Sequence, residues 1–384
     1  MSASITYKGG IMELIMKNKK MILRFAVIAI AVICTVCACF QKQPEEEEND
    51  FKVSPTEDGK TLMVSKYLGK KQAIAIPSQL YKLPVTQIRK ETFKDRDLVS
   101  VTIANSITDI GDMAFHNNIL INVGIGSGVK TIGEGAFSDN LLIGITIPNG
   151  VTTIGKGAFY KNRLASINIP GSVNTIGSNA FAGNKLTAVT IPANVSVIGD
   201  APFLSCPDLT AINVNSGNKF YSSSDGVLYN KDLTELIQWP NGKTTEPVIP
   251  NSVTTIKNNA FAGSGLTSVT IPDSVTTIES EAFMDNQLSS VVIGNGVTKI
   301  DENAFLNNKL ASITIPASVT AVGNGAFLKN PLLSVTIGAN VTFDTSYYNY
   351  SIGYNFEYYY RNTGRREGTY TRPNVNSYDW TGKN

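Results

Sequence analysis

Charge is scarce in this sequence. Asp, Glu, Lys and Arg make up 17% of its 384 residues, against about 25% in ordinary globular chains, and that shortfall argues against coiled coils and ion-paired helical bundles. The net charge is +2, and no basic block lies beyond the N-terminal segment, so the electrostatic footprint of a nucleic-acid-binding protein is missing. There is one histidine, His116, and no clustered set of metal ligands at zinc spacing. The longest apolar run, Phe25 to Cys34, falls well short of the roughly 20 residues that cross a bilayer. Apolar residues nevertheless reach 42%, enough for a core, so global disorder is ruled out. The remainder is rich in Ser, Thr, Asn and Gln at about 28%, a surplus of uncharged polarity that needs a cause.

The apolar run is preceded by Lys17, Lys19, Lys20 and Arg24, the layout of a secretory signal. It leads to Val36-Cys37-Ala38-Cys39, which resembles a bacterial lipobox with Cys39 as the lipidated residue. Residues 1–38 are therefore expected to be a lipoprotein-type signal peptide, with translation starting at Met12 or Met16. Residues 39–52, with Glu45 to Glu48 in a row, read as an acidic tether, because like charges repel and keep a chain extended. Cys34 and Cys37 mimic a redox pair but lie inside the signal. Only Cys206 remains in the folded part, which excludes a disulfide framework there.

The organising feature is a period. Phe93, Phe115, Phe137, Phe159, Phe181 and Phe203 are spaced 22 residues apart, and Phe261, Phe283, Phe305 and Phe327 resume the interval. A unit typified by Leu266-x-x-Val269-x-Ile271-Pro272-x-x-Val275-x-x-Ile278-x-x-x-Ala282-Phe283-x-x-Asn286 recurs about eleven times. Self-similarity at this length marks a solenoid, in which stacked rungs bury a continuous core. Val269-Thr270-Ile271 alternates as a strand with Val and Ile inward and Thr outward, and Pro272 ends it. Gly111, Gly133, Gly155, Gly177, Gly199 and Gly323 follow the second Ile, where the turn is expected to need positive φ. Asn118 and its counterparts, three residues after each Phe, are placed to bond neighbouring backbone and to ladder between rungs. Cys206 holds that position in its repeat and reads as a small buried residue. His116 is expected to be an exposed turn residue.

On these residues the unit resembles the BspA-like leucine-rich repeat family of surface lipoproteins. The resemblance implies a β-rich solenoid with a parallel sheet, covering residues 53–343. An inserted hairpin is expected at about 215–248, spanning Asp225 to Trp239-Pro240. It also implies a non-enzymatic, adhesin-like function, without cofactor, directed at an extracellular-matrix protein, another cell or a glycan. The implied localisation is export, with lipid anchoring at the bacterial outer membrane or cell surface. The alternative is a structural or envelope-associated repeat protein without a host ligand.

The residues themselves name two candidate contact surfaces. One is the outward strand row Thr102, Thr146, Asn168, Thr190, Thr270, Thr314 and Thr336, a hydroxyl lattice whose rungs are about 4.8 Å apart and whose periodicity a repetitive glycan could match. The other is residues 344–384, an aromatic C-terminal cap with Tyr358, Tyr359, Tyr360, Tyr370 and Trp380, residue types that favour interfaces. Tyr358-Tyr359-Tyr360 and Gly368 to Thr371, flanking Asn362 to Arg366, have the look of a hairpin. Gly124-Ile125-Gly126-Ser127-Gly128 suggests a phosphate loop but in register is a strand and its exit, followed by no helix.

Overall fold

The computed structural model describes residues 48–344, 352 and 355–383. The signal segment, Cys39 and most of the tether lie outside the described residues. Each 22-residue unit forms one turn of a β-solenoid, with registers repeating at that interval: Thr153 lies beside Thr131 on one side and Thr175 on the other.

The Val-x-Ile segments build a first, parallel sheet. Its blocks are Ala73–Ile76, Ser100–Ile103 and Asn122–Gly124, then Ala188–Ile191 with Ala211–Val214, Ser268–Thr270 with Ser290–Val292, and Ser312–Ile315 with Ser334–Ile337. The second apolar pair of each unit forms a strand as well. Short Thr-Ile pairs such as Thr153–Ile154 and Thr277–Ile278 run in two unbroken parallel ladders, one on each side of the insertion. The sequence pattern reads these two-residue strands only as a buried pair, because period two cannot be recognised over two residues.

The Ala-Phe turn forms the third wall. Phe115 N–H donates to Ala136 O and Phe137 N–H to Ala158 O, both at 2.8 Å, and the pattern repeats along the coil. Stacked Phe rings fill the core, with centroids 4.9 Å apart between Phe93 and Phe115 and 5.7 Å between Phe181 and Phe203, all nearly parallel. Left-handed backbone occurs here, but not at the glycines that follow Ile. It falls two residues later, at Met113, Gly135, Gly157, Asn179, Glu281 and Gly325. Gly111 and Gly155 answer a different constraint: a Cβ there would stand 2.6 or 2.7 Å from the amide nitrogen of Lys90 or Glu134 in the preceding rung.

The Asn ladder is as the spacing requires. Asn140 Oδ1 accepts from Leu120 N–H at 3.1 Å while its Nδ2 donates to the carbonyls of Phe115 and Phe137. One carboxamide thus ties two rungs together. Cys206 replaces it in one repeat, fully buried with Sγ 3.5 Å from Phe181 O. His116 is half-buried rather than exposed, because its ring Nδ1 meets Ser138 Oγ at 2.7 Å in the next rung.

Two segments depart from the repeat. The insertion hairpin is Tyr221–Ser224 with Val227–Asn230, and Glu235–Gln238 pairs antiparallel with Val227–Asn230 on one side and parallel with Thr255–Ile256 on the other. Trp239 is not part of that hairpin. It lies one period before Phe261 and stacks on it at 5.5 Å, so the coil resumes at Trp239.

At the far end, Phe356–Asn362 is an α-helix, which corrects the expectation of a hairpin through Tyr358 to Tyr360. Gly368–Thr371 instead pairs antiparallel with Ser334–Ile337 and with Thr381–Lys383. The helix packs Phe356 against Trp380 at 5.0 Å and Tyr370 at 5.7 Å, both edge-on. This closes the last rung, as a solenoid end requires.

Candidate functional site

Alternation along the first sheet positions the hydroxyl row. Val269 and Ile271 are buried, which turns Thr270 outward, and Thr102, Thr146, Asn168, Thr190 and Thr314 are exposed by the same rule. Thr336 is half-buried, its Oγ1 2.9 Å from Thr369 Oγ1 of the cap. The cap strands therefore continue the lattice: Thr336 faces Thr369, Ser334 faces Thr371, and Thr371 faces Thr381. Thr369 and Thr371 carry the same outward alternation as the repeats, a signal readable as Thr-x-Thr in the sequence. Val248 and Val292, 80% and 55% exposed, interrupt the hydroxyls with apolar contacts on either side of Thr270.

The aromatic candidates separate into two groups. Tyr360, Tyr370 and Trp380 are at most 3% exposed and hold the cap together, so they are not surface contacts. Tyr360 Oη donates to Gly338 O at 2.6 Å, and Tyr370 Oη to Arg366 O at 2.7 Å. The Arg372 guanidinium lies 5.1 Å from the Trp380 ring and donates to Leu332 O; burial lowers its pKa below the ordinary guanidinium value. Of the five, Tyr358 is exposed and Tyr359 half-buried.

Where the cap meets the sheet there is a groove of about 950 Å³. Thr314 and Thr336 of the row line it together with Asn295, Pro316, Arg366 and Glu367. The structure thus brings two of the predicted contacts beside a charged pair that repeat arithmetic does not reach, because Arg366 and Glu367 follow the last repeat.

The chemistry on offer is hydrogen bonding and shape. Among the described residues no group of three His, Cys, Asp or Glu side chains is placed to hold a metal ion. Burial pushes the Cys206 thiol up to about 11, so it is protonated at neutral pH. Ion pairs sit on the turns, as in Lys257 with Glu279 at 2.8 Å. Burial alone would lower the Lys257 pKa, but the hydrogen-bonded Glu279 carboxylate raises it above the ordinary ammonium value. No described helix is long and apolar enough to cross a membrane.

The BspA type leucine rich repeat region matches over residues 86–210, 130–245 and 238–354, in six copies. Among solved structures, the chain is similar to the pneumococcal vaccine antigen PcpA, at 25% identity and TM-score 0.65, covering 79% of this chain and 83% of that one. A leucine rich cell surface protein from Faecalibacterium prausnitzii aligns at 28% identity and TM-score 0.59, over 79% of this chain and 96% of that one. A leucine-rich repeat protein from Eubacterium ventriosum aligns at 26% identity and TM-score 0.53, over 76% and 77%. No curated protein matches the chain.

Proposed function

Since the chain belongs to the BspA-type leucine-rich repeat family, we propose that it is a non-enzymatic binding protein of the bacterial cell surface, adhesin-like in role. Its partner in this reading is an extracellular-matrix protein, another cell or a glycan. The observation that carries the reading is the first-sheet face: outward Thr and Asn positions recur in register along the coil, continue into the cap through Thr369, and end at the groove beside Arg366 and Glu367. Such a face offers many identical, weak hydrogen-bonding sites, which suits an extended partner better than a small substrate. The F. prausnitzii relative is named a cell surface protein, which supports display outside the cell. Anchoring through a lipid on Cys39 belongs to the same proposal and rests on the lipobox alone.

The test combines exposure with binding. On intact cells, external protease should cleave the protein. Protection would instead favour the structural, envelope-associated alternative. Purified protein should then bind at least one member of a matrix-protein and glycan panel, and Thr146→Arg, Thr190→Arg and Thr314→Arg together should weaken that binding by about tenfold or more, or about 1.4 kcal/mol. Unchanged binding by the triple variant would remove the sheet face from consideration.

A further inference from the structure

The end of the coil where the chain enters gathers cations that the fold leaves unpaired. Lys66 of the entry hairpin, with Arg89, Lys90, Lys94 and Arg96 of the first rung, lines a groove of about 340 Å³ that holds a single carboxylate, Glu91. Glu91 pairs with Lys94 at 3.3 Å. Lys66, Arg89 and Lys90 are exposed and have no ion pair among the described residues. Lys66 also stands directly opposite Lys52 in the pairing of Phe51–Pro55 with Leu62–Tyr67. Like charges in that relation are destabilising, so the fold itself gains nothing from them. The repeat makes the same point: Arg89 takes the place that Gly111, Gly133 and Gly155 hold in later rungs, and Arg96 takes that of the ladder Asn, three residues after Phe93.

The groove is fixed and has an apolar neighbour. Arg96 Nη2 donates to Tyr67 O at 2.9 Å. The next residue, Leu68, donates its N–H to Asp50 O at 2.7 Å, yet its side chain is 54% exposed between Lys66 and Lys70-Lys71. A second loop of this rung repeats the mixture, with exposed Tyr81 and Leu83 on either side of Lys82. Glu48, the last of the acidic run, accepts from Tyr81 N–H at 3.0 Å and does not neutralise the groove. A soluble anion would use the cations alone. Leu and Tyr exposed among lysines match a bilayer surface, where anionic phosphates lie over acyl chains.

We propose that this end of the solenoid seats on the anionic phospholipid headgroups of the membrane to which the chain is tethered. Lys66, Arg89, Lys90 and Arg96 meet the phosphates, and Leu68 and Tyr81 enter the headgroup layer. The inference rests on the proposed lipidation of Cys39, which lies nine residues before Glu48 and so keeps the entry end within about 30 Å of the bilayer. Seated in this way the coil stands end-on, with the cap and its groove farthest from the membrane.

The test uses the full chain carrying Cys39→Ser, so that no acyl chain adds affinity, and vesicles of phosphatidylcholine alone or mixed equally with phosphatidylglycerol. The apolar run of the signal contributes to both, and the difference between them reads the charge. The anionic vesicles should bind the chain more tightly, and the preference should vanish as salt rises from about 0.05 M to about 0.5 M. Lys66→Gln, Arg89→Gln and Lys90→Gln together should cut binding to the anionic vesicles about a hundredfold, or about fivefold per charge. Their Tm should be unchanged or raised, because the opposition of Lys52 and Lys66 is relieved. Lys130→Gln, Lys309→Gln and Lys329→Gln remove the same charge from exposed sites elsewhere on the coil and should bind as wild type. On the anionic vesicles, hydrogen exchange should slow in residues 65–71 and 89–96 and not in Ser334–Ile337. Equal binding to both vesicle types, equal loss in the two triple variants, or displacement by inorganic phosphate at matched ionic strength would overturn the proposal. Lipidation is read separately, from the mass of the N-terminal peptide of the protein recovered from its own cells. An acylated Cys39 without headgroup preference overturns the docking alone; headgroup preference with an unmodified Cys39 upholds the docking and overturns the anchor.

Discussion

At the scale of single residues, stability rests on side chains that serve two rungs at once. Asn286 Oδ1 accepts from Leu266 N–H at 3.0 Å, and its Nδ2 donates to the carbonyls of Phe261 and Phe283. Replacing it with Ala strands buried backbone groups in both rungs, each at roughly 1–3 kcal/mol. Asn286→Ala should therefore lower the urea midpoint by an amount worth at least that much, whereas an exposed row residue such as Thr270→Ala should move it little. Cys206 gives a pH signature at the variant position of the same ladder. Its thiol is pushed from 9.0 up to about 11 by burial, so between those values the unfolded chain releases a proton that the folded chain keeps. Stability from this group is present below about pH 9 and is lost as pH rises toward 11. Cys206→Ala should flatten that part of the stability profile, and the native thiol should resist alkylation at pH 8. A native thiol that reacts as fast as free cysteine would contradict its burial.

At the scale of elements, what the sequence reveals depends on how many residues carry each signal. The Val-x-Ile strands, the Phe column and the Asn ladder each recur with fixed chemistry at a fixed offset, and all are legible. The Thr-Ile strands are not, since a two-residue strand has no alternation of its own and is recognised only by pairing with its neighbours. The glycines after Ile are visible, but their reason is not: Gly111 is small to let the preceding rung approach, while the strain lies at Met113. Trp239 is legible in hindsight, one period before Phe261, although a search on Phe alone passes over it. The cap fails for a different cause. It occurs once, so no second copy separates the structural aromatics from exposed ones, and Tyr358 to Tyr360 look alike until a helix places Tyr358 outward and Tyr360 against Gly338. The outward orientation of the Thr and Asn row is legible for the same reason as the core, being the other half of one alternation. The groove was not, because Arg366 and Glu367 meet Thr314 and Thr336 only through the fold.

At the scale of the whole molecule, the insertion divides one coil into two cores. Alternation along the hairpin does this: Leu228 and Ile237 belong to the first core, while Val227, Tyr229, Leu236 and Trp239 belong to the second. The Phe column ends at Phe203 and resumes at Trp239, and the amide of Phe203 is received by the Gln238 side chain, at 3.1 Å, instead of by a following rung. Gln238 Nε2 and Trp239 Nε1 are buried there without partners, so adjacent unsatisfied polar atoms weaken this junction. In a repeat array each rung is stabilised by its neighbours, and a weak junction lets the halves unfold as separate units. Both tryptophans, Trp239 and Trp380, lie in the second core, so their fluorescence follows that half alone. Phe283→Ala should cost about 3–5 kcal/mol and lower the midpoint seen by tryptophan fluorescence, while hydrogen-exchange protection at Ile132 and Ile154 in the first half stays at the wild-type level. Were the coil a single cooperative unit, both readouts would shift together by the same free energy, and the hairpin would be a decoration on the coil rather than a partition within it.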